Sequence, residues 1–274
     1  MLTYYFTSYY FRIMKTIITL TFALFSLIAM GQVSKLKSES FFGINYKPLI
    51  PFGIVGDAPL DLQNGNLRST VSSKLGYSFG AVVRSRVTDL IALETGLLYT
   101  QRNYQADITL SDSNLYAHSE FGIINFDLPV NALVFIQLGR NIYANAMLGG
   151  SLNFNPSDVR DTVNLGTGPH QFIFAGSRYT KAPEKNGYLS FAINAAVGFE
   201  LRTRKDGTFY MGVASKIPVS PTLEVGTAYR QSQQGYVLGN QGILSGATFS
   251  LDFKYFFHNV ENKGWQYNGG PIEQ

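Results

Sequence analysis

Between residues 121 and 139 the chain alternates. Ile124, Phe126, Leu128, Val130, Ala132 and Val134 fall on one face, and Asn125, Asp127 and Asn131 on the other. Successive side chains of a strand point to opposite sides, so a period of two predicts a long strand with one apolar and one polar face. The pattern recurs along the chain. Phe42, Ile44 and Tyr46 alternate with Gly43, Asn45 and Lys47. In residues 74–86, Leu75, Tyr77, Phe79, Ala81 and Val83 oppose Lys74, Gly76, Ser78, Gly80, Arg84 and Arg86. Residues 91–102 set Ile91, Leu93, Leu97 and Tyr99 against Glu94, Gly96, Thr100 and Arg102. Residues 144–154, 191–202 and 209–214 alternate likewise, the second placing Glu200 and Arg202 on its polar face. In the last run, Phe249, Leu251, Phe253, Tyr255 and Phe257 face away from Ser250, Asp252 and Lys254. The count is eight strands.

The connections between them set the topology. Short links (Val87-Thr88-Asp89-Leu90, Leu138-Gly139-Arg140-Asn141 and Lys205-Asp206-Gly207) alternate with long ones at about residues 54–72, 106–119, 156–187 and 217–245. Short turns on one side, long loops on the other and outward apolar faces describe an outer-membrane barrel. The predicted fold is therefore all-β: an eight-stranded antiparallel up-and-down transmembrane β-barrel of outer-membrane type over residues 32–258. The alternative is an exported soluble sandwich or lipocalin-like barrel, but that fold puts large apolar side chains inside and charges outside. Here the polar face is rich in Gly, Asn and Ser, which suits a narrow lumen.

Composition narrows the picture further. Charged residues are only 15% of the 274 and aromatics 14%, so the chain is too aromatic for disorder. A mean hydropathy of +0.02 argues against a helical membrane protein. Residues 15–31 present Lys15, an apolar run from Thr16 to Met30, then Gly31. This is the layout of a secretory signal peptide, with cleavage expected after Gly31 and Met14 as a natural start. An uncleaved N-terminal anchor is the alternative. Removing the leader takes Arg12 and Lys15 with it and lowers the net charge from +4 to +2, too little to predict nucleic-acid binding. The absence of Cys excludes a disulfide framework, a thiolate metal site and a cysteine nucleophile. Residues 259–274, with Trp265 and Tyr267, read as a periplasmic tail.

Thr95-Gly96-Leu97-Leu98-Tyr99 and Phe126-Asp127-Leu128-Pro129, on successive predicted strands, resemble signature stretches of the PorT-like porin-family small barrels. The eight-strand layout over about residues 40–258 is similar to the same group. The resemblance implies an outer-membrane location, and some relatives serve protein secretion. The chain departs from the family habit by continuing past Phe257, its last strand aromatic.

Polar-face charges define the candidate site: Lys47, Arg84, Glu94, Arg102, Asp127, Glu200, Arg202, Asp252 and Lys254 would share the lumen, with Lys74 and Arg86 beside them. Charges taken out of water need partners, so a paired network is expected. A turn through Thr88-Asp89-Leu90 sets Arg84 opposite Glu94, and barrel closure brings Asp252 near Lys47. Such a network either packs the interior or lines a narrow passage for small solutes or ions. An enzyme is not expected, nor any metal or cofactor. Three scattered His (His118, His170 and His258) make no ligand cluster, and in His118-Ser119-Glu120 the serine takes the opposite face from the other two. Expected partners are the lipid of the outer membrane and a protein reached through the tail or the long loops. Phe172, Phe174, Tyr179, Tyr229 and Tyr236 are the candidate loop contacts. The expected role is a structural or interaction subunit.

Overall fold

The computed structural model describes residues 40–51, 59–88, 90–164, 170–179, 188–203, 207–231 and 236–257. The leader and the tail beyond Phe257 lie outside the described residues. Strands in chain order are β1 (Ser40–Ile50), β2 (Leu60–Asn64), β3 (Leu67–Arg86), β4 (Ile91–Leu110), β5 (Leu115–Gln137), β6 (Ile142–Phe154) and β7 (Val159–Asn164). They continue as β8 (His170–Arg178), β9 (Leu189–Arg202), β10 (Thr208–Pro218), β11 (Leu223–Gln231), β12 (Tyr236–Leu244) and β13 (Thr248–Phe256).

Eight of these close a ring. Running β1-β13-β10-β9-β6-β5-β4-β3 and back to β1, every neighbour is antiparallel. The three short turns lie at one end and are tight. Val87 N–H reaches Ile91 O at 2.9 Å, Leu138 N–H reaches Ile142 O at 3.0 Å, and Thr203 N–H reaches Gly207 O at 3.0 Å. Gly207 adopts φ +87, a left-handed conformation that side-chain-bearing residues enter at a cost. The outward face of the ring is greasy throughout: Leu148 and Phe191 are each 65% exposed and Val130 59%. So continuous a band of bare apolar side chains belongs in lipid.

The long connections are not open loops. β4 and β5 continue to a hairpin tip at Ser111–Ser113, and β2 pairs with the upper part of β3. β8 pairs with both β7 and β11, and β11 with β12, forming a second sheet. This sheet faces the upper halves of β3, β4 and β5. Along one margin Asn64 Nδ2 donates to Gly239 O at 2.8 Å; along the other Ile124 N–H donates to Ser157 Oγ at 2.9 Å. The result is a second storey stacked on the transmembrane ring.

One change of polarity joins the storeys. On β4 the inward positions run Glu94, Thr100, Arg102 and then Tyr104, Ala106, Ile108, Leu110, all buried. The outward positions run Ile91, Leu93, Leu97, Tyr99 and then Gln101, Asn103, Gln105, Asp107. β5 does the same, with Asp127 and Asn125 inside giving way to Ile123, Phe121 and Ala117. Below the boundary the wall is apolar outside and polar inside; above it the order inverts, as in a water-soluble protein. Tyr77, Phe79, Tyr99 and Phe126 form an aromatic cluster at that level, with the Tyr77 hydroxyl donating to Gln101 at 2.9 Å. Amphipathic rings favour the water–lipid interface, so this cluster marks the outer membrane boundary.

The upper storey has its own core. Val71, Tyr104, Ala106, Phe121 and Ile123 meet Phe174, Leu223, Val225 and Leu244 across the gap, and the Phe121 and Phe174 rings are 4.5 Å apart. Nearer the tip, Leu67, Ile108, Leu110 and Ala117 pack on Phe172 and Tyr229. Each large side chain so buried contributes about 1.5–3 kcal/mol.

Candidate functional site in the lumen

Inside the transmembrane ring the inward positions stack in layers. At the short-turn end, the Arg84 guanidinium lies 4.0 Å over the Phe256 ring, and Arg202 lies 3.9 Å over Tyr143. Register places Arg84 opposite Glu94 on the neighbouring strand. Glu94 Oε2 accepts from Arg84 Nη2 at 2.8 Å, while its other oxygen accepts from Lys254 Nζ. Glu200 accepts from Arg84 as well, and from Arg202 Nε at 2.7 Å. Asp252, wholly buried, lies 3.5 Å from Lys254 and 3.4 Å from Lys47. These seven side chains form one connected cluster, drawn together because β3, β4, β9, β13 and β1 each direct their even or odd set inward.

A hydroxyl and amide layer follows. Thr100 lies 2.8 Å from both Asp127 and Ser78, and Lys216 Nζ pairs with Asp127 at 2.7 Å. Asn194 donates to Asn131, and Ser151 to Asn153. Packed side chains leave here a cavity of about 50 Å³. Above it Arg102 donates to Gly246 O at 3.1 Å and Asn125 Oδ1 at 2.9 Å. The apolar core of the upper storey then covers the stack.

Several assignments from sequence need correction. Lys74 is not in the lumen: a register irregularity between Lys74 and Tyr77 shifts the face of β3, and Lys74 pairs with Glu120 on the outside at 2.6 Å. Phe172, Phe174 and Tyr229 are not contact side chains on loops, for each is at most 3% exposed within the upper core. Tyr179 is half-buried, and the Tyr236 side chain lies outside the described set. Sequence reasoning missed Lys216, because it ended the β10 pattern at Ala214. Carrying the period of Tyr210, Gly212 and Ala214 one step further points to it.

On the outside of the upper storey, His118 Nδ1 sits 2.8 Å from Asp107 Oδ1 and Nε2 3.3 Å from Glu120 Oε1. Hydrogen bonds to Asp107 and then Glu120 hold the imidazole above its usual range. Ser119 turns inward instead and bonds Asp161, so the three consecutive residues do not converge.

A closed ring with a lipid-facing girdle and short turns at one end defines an outer-membrane β-barrel protein. The chain belongs to the family described as outer membrane protein beta-barrel domain, whose model matches residues 31–218, and its place is the bacterial outer membrane. Among solved structures, the outer membrane protein OprG from Pseudomonas aeruginosa is similar at 13% identity and TM-score 0.47, covering 81% of this chain and 98% of that one. The outer membrane protease OmpT from Escherichia coli is similar at 8% identity and TM-score 0.28, covering 81% and 97%. The beta domain of the Bordetella autotransporter BrkA stands at 9% and 0.27, covering 80% and 98%. Comparison with curated proteins found no match.

Proposed function

We propose that this chain is a closed, non-conducting barrel that serves as a structural or interaction subunit of the outer membrane, in a secretion or envelope assembly. The observation that carries the reading is the apolar core of the upper storey, which lies across the axis of the polar lumen. A pore needs a continuous polar path. Here the paired charges fill one half and Tyr104, Phe121, Phe174 and Leu244 the other. The PorT-like resemblance belongs to the same reading. Its two stretches lie side by side on β4 and β5, where Thr95 Oγ1 donates to Pro129 O at 2.8 Å across a gap in the ladder. With Phe172, Phe174 and Tyr229 committed to the core, a protein partner is left the polar outer surface of the upper storey and residues 259–274. The role is binding rather than catalysis.

Planar-bilayer recording of the purified barrel tests this directly. The expected record has no discrete current steps; steps scaling with salt concentration would overturn the closed barrel. Affinity purification from detergent-solubilised outer membranes, followed by mass spectrometry, is expected to return a stoichiometric protein partner.

A further inference from the structure

Among the described residues, the lumen does not balance its charge. Lys47, Arg84, Arg102, Arg202, Lys216 and Lys254 point into it, against Glu94, Asp127, Glu200 and Asp252. Cations outnumber carboxylates even when Arg202, the most exposed at 23%, is left out. Arg102 carries the surplus most plainly. Its side chain is buried, and its partners among the described residues are two neutral oxygens, Gly246 O and Asn125 Oδ1. A buried charge without a counter-charge is costly, and the layer below Arg102 holds a cavity.

That cavity, about 50 Å³, is lined by Lys47, Lys216, Ser78, Thr100, Asp127 and Thr248. Each lysine engages a single carboxylate oxygen, so ammonium protons remain to be donated inward. The Thr100 hydroxyl gives its one proton to Asp127, so Ser78 donates to Thr100. Free ammonium protons of Lys47 and Lys216 therefore face a space that suits a few water-sized particles and excludes any organic acid of several carbons.

We propose that this mid-lumen cavity is a binding site for a small monovalent inorganic anion, of the size and charge of chloride, held between Lys47 and Lys216. The anion neutralises part of the surplus that Arg102 adds from the layer above. It is a resident counter-ion of the fold, and the proposal stands independently of the barrel's partner.

The test uses the full mature chain in detergent micelles, transferred from sodium gluconate to sodium chloride at constant ionic strength. A ligand bound only by the native state raises its thermal midpoint, here by about 3 °C with saturation. Arg102→Gln is expected to raise the midpoint in gluconate toward the wild-type value in chloride, and to shrink the chloride response. Crystals grown in sodium bromide should show an anomalous peak between Lys47 and Lys216. Three results would overturn the site: equal midpoints in the two salts, a destabilised Arg102→Gln in both, or bromide found only on the surface. If the surplus is relieved instead by loss of a lysine proton, the midpoint ignores chloride, and the proposal fails.

Discussion

Glu94 is the carboxylate on which the inner cluster depends, and its removal should cost far more than removal of its lysine partner. Both Glu94 oxygens are engaged, one by Arg84 through Nε at 3.1 Å and Nη2 at 2.8 Å, the other by Lys254. Glu94→Gln deletes a negative charge from a region already rich in cations. Breaking a buried pair from that side costs about 3–5 kcal/mol. Lys254→Met acts in the opposite direction. Glu94 keeps Arg84, Asp252 keeps Lys47 at 3.4 Å, and the positive surplus falls by one. Only a charge-assisted bond is lost, offset by the ammonium no longer being desolvated, so the net cost is about 1 kcal/mol. The double variant should cost less than the sum by about 0.5–3 kcal/mol, since the two groups touch. Urea unfolding of the reconstituted barrel, followed by far-ultraviolet circular dichroism, measures all three. If Lys254→Met costs as much as Glu94→Gln, charge surplus does not govern this lumen.

Three further outcomes are expected. Leu251→Arg or Phe253→Arg, on the lipid face of β13, should destabilise the barrel by about 2–4 kcal/mol in lipid vesicles, whereas Ser250→Arg acts by crowding the lumen; unfolding midpoints equal to wild type for the first two would reverse the assigned faces. His118, raised by Asp107 and Glu120, adds stability that is fully present below its ordinary value near 6.5 and is lost as pH rises through the higher folded value. In an NMR titration Asp107→Asn should lower that value, and an unmoved curve would discount the contact. Intact mass of the purified protein should correspond to a start at Gln32; retention of residues 1–31 would refute the leader.

The transmembrane ring was legible because lipid imposes a simple rule, apolar outward at every second position, and seven of the eight runs obey it over five residues or more, with Thr95 interrupting the eighth. Arg84 opposite Glu94 could be counted from the turn at Val87–Leu90. The upper storey was not legible for a physical reason. Above the boundary the period of two continues, but the apolar set changes sides, so that Tyr104, Ala106 and Ile108 take inward positions that below belong to Glu94 and Arg102. A search for one unbroken greasy face therefore stops at Arg102 and reports a loop. Pairing of β8 with β11 is hidden too, since partners such as Phe172 and Tyr229 are far apart in sequence and only burial in a shared core relates them. Lys74 was misplaced because a bulge leaves no mark in the alternation. Its register shift is a matter of backbone, and the side chains on either side of it look alike.

β4 and β5, of 20 and 23 residues, cross the water line without a break in either strand. An external domain on flexible tethers would tilt and swing independently of the wall beneath it. This one is a mast stepped through the deck: a pull on the hairpin tip at Ser111–Ser113 runs down two continuous ladders into the ring. Whatever grips the outer storey thereby holds the barrel itself, in fixed orientation and at fixed height above the lipid.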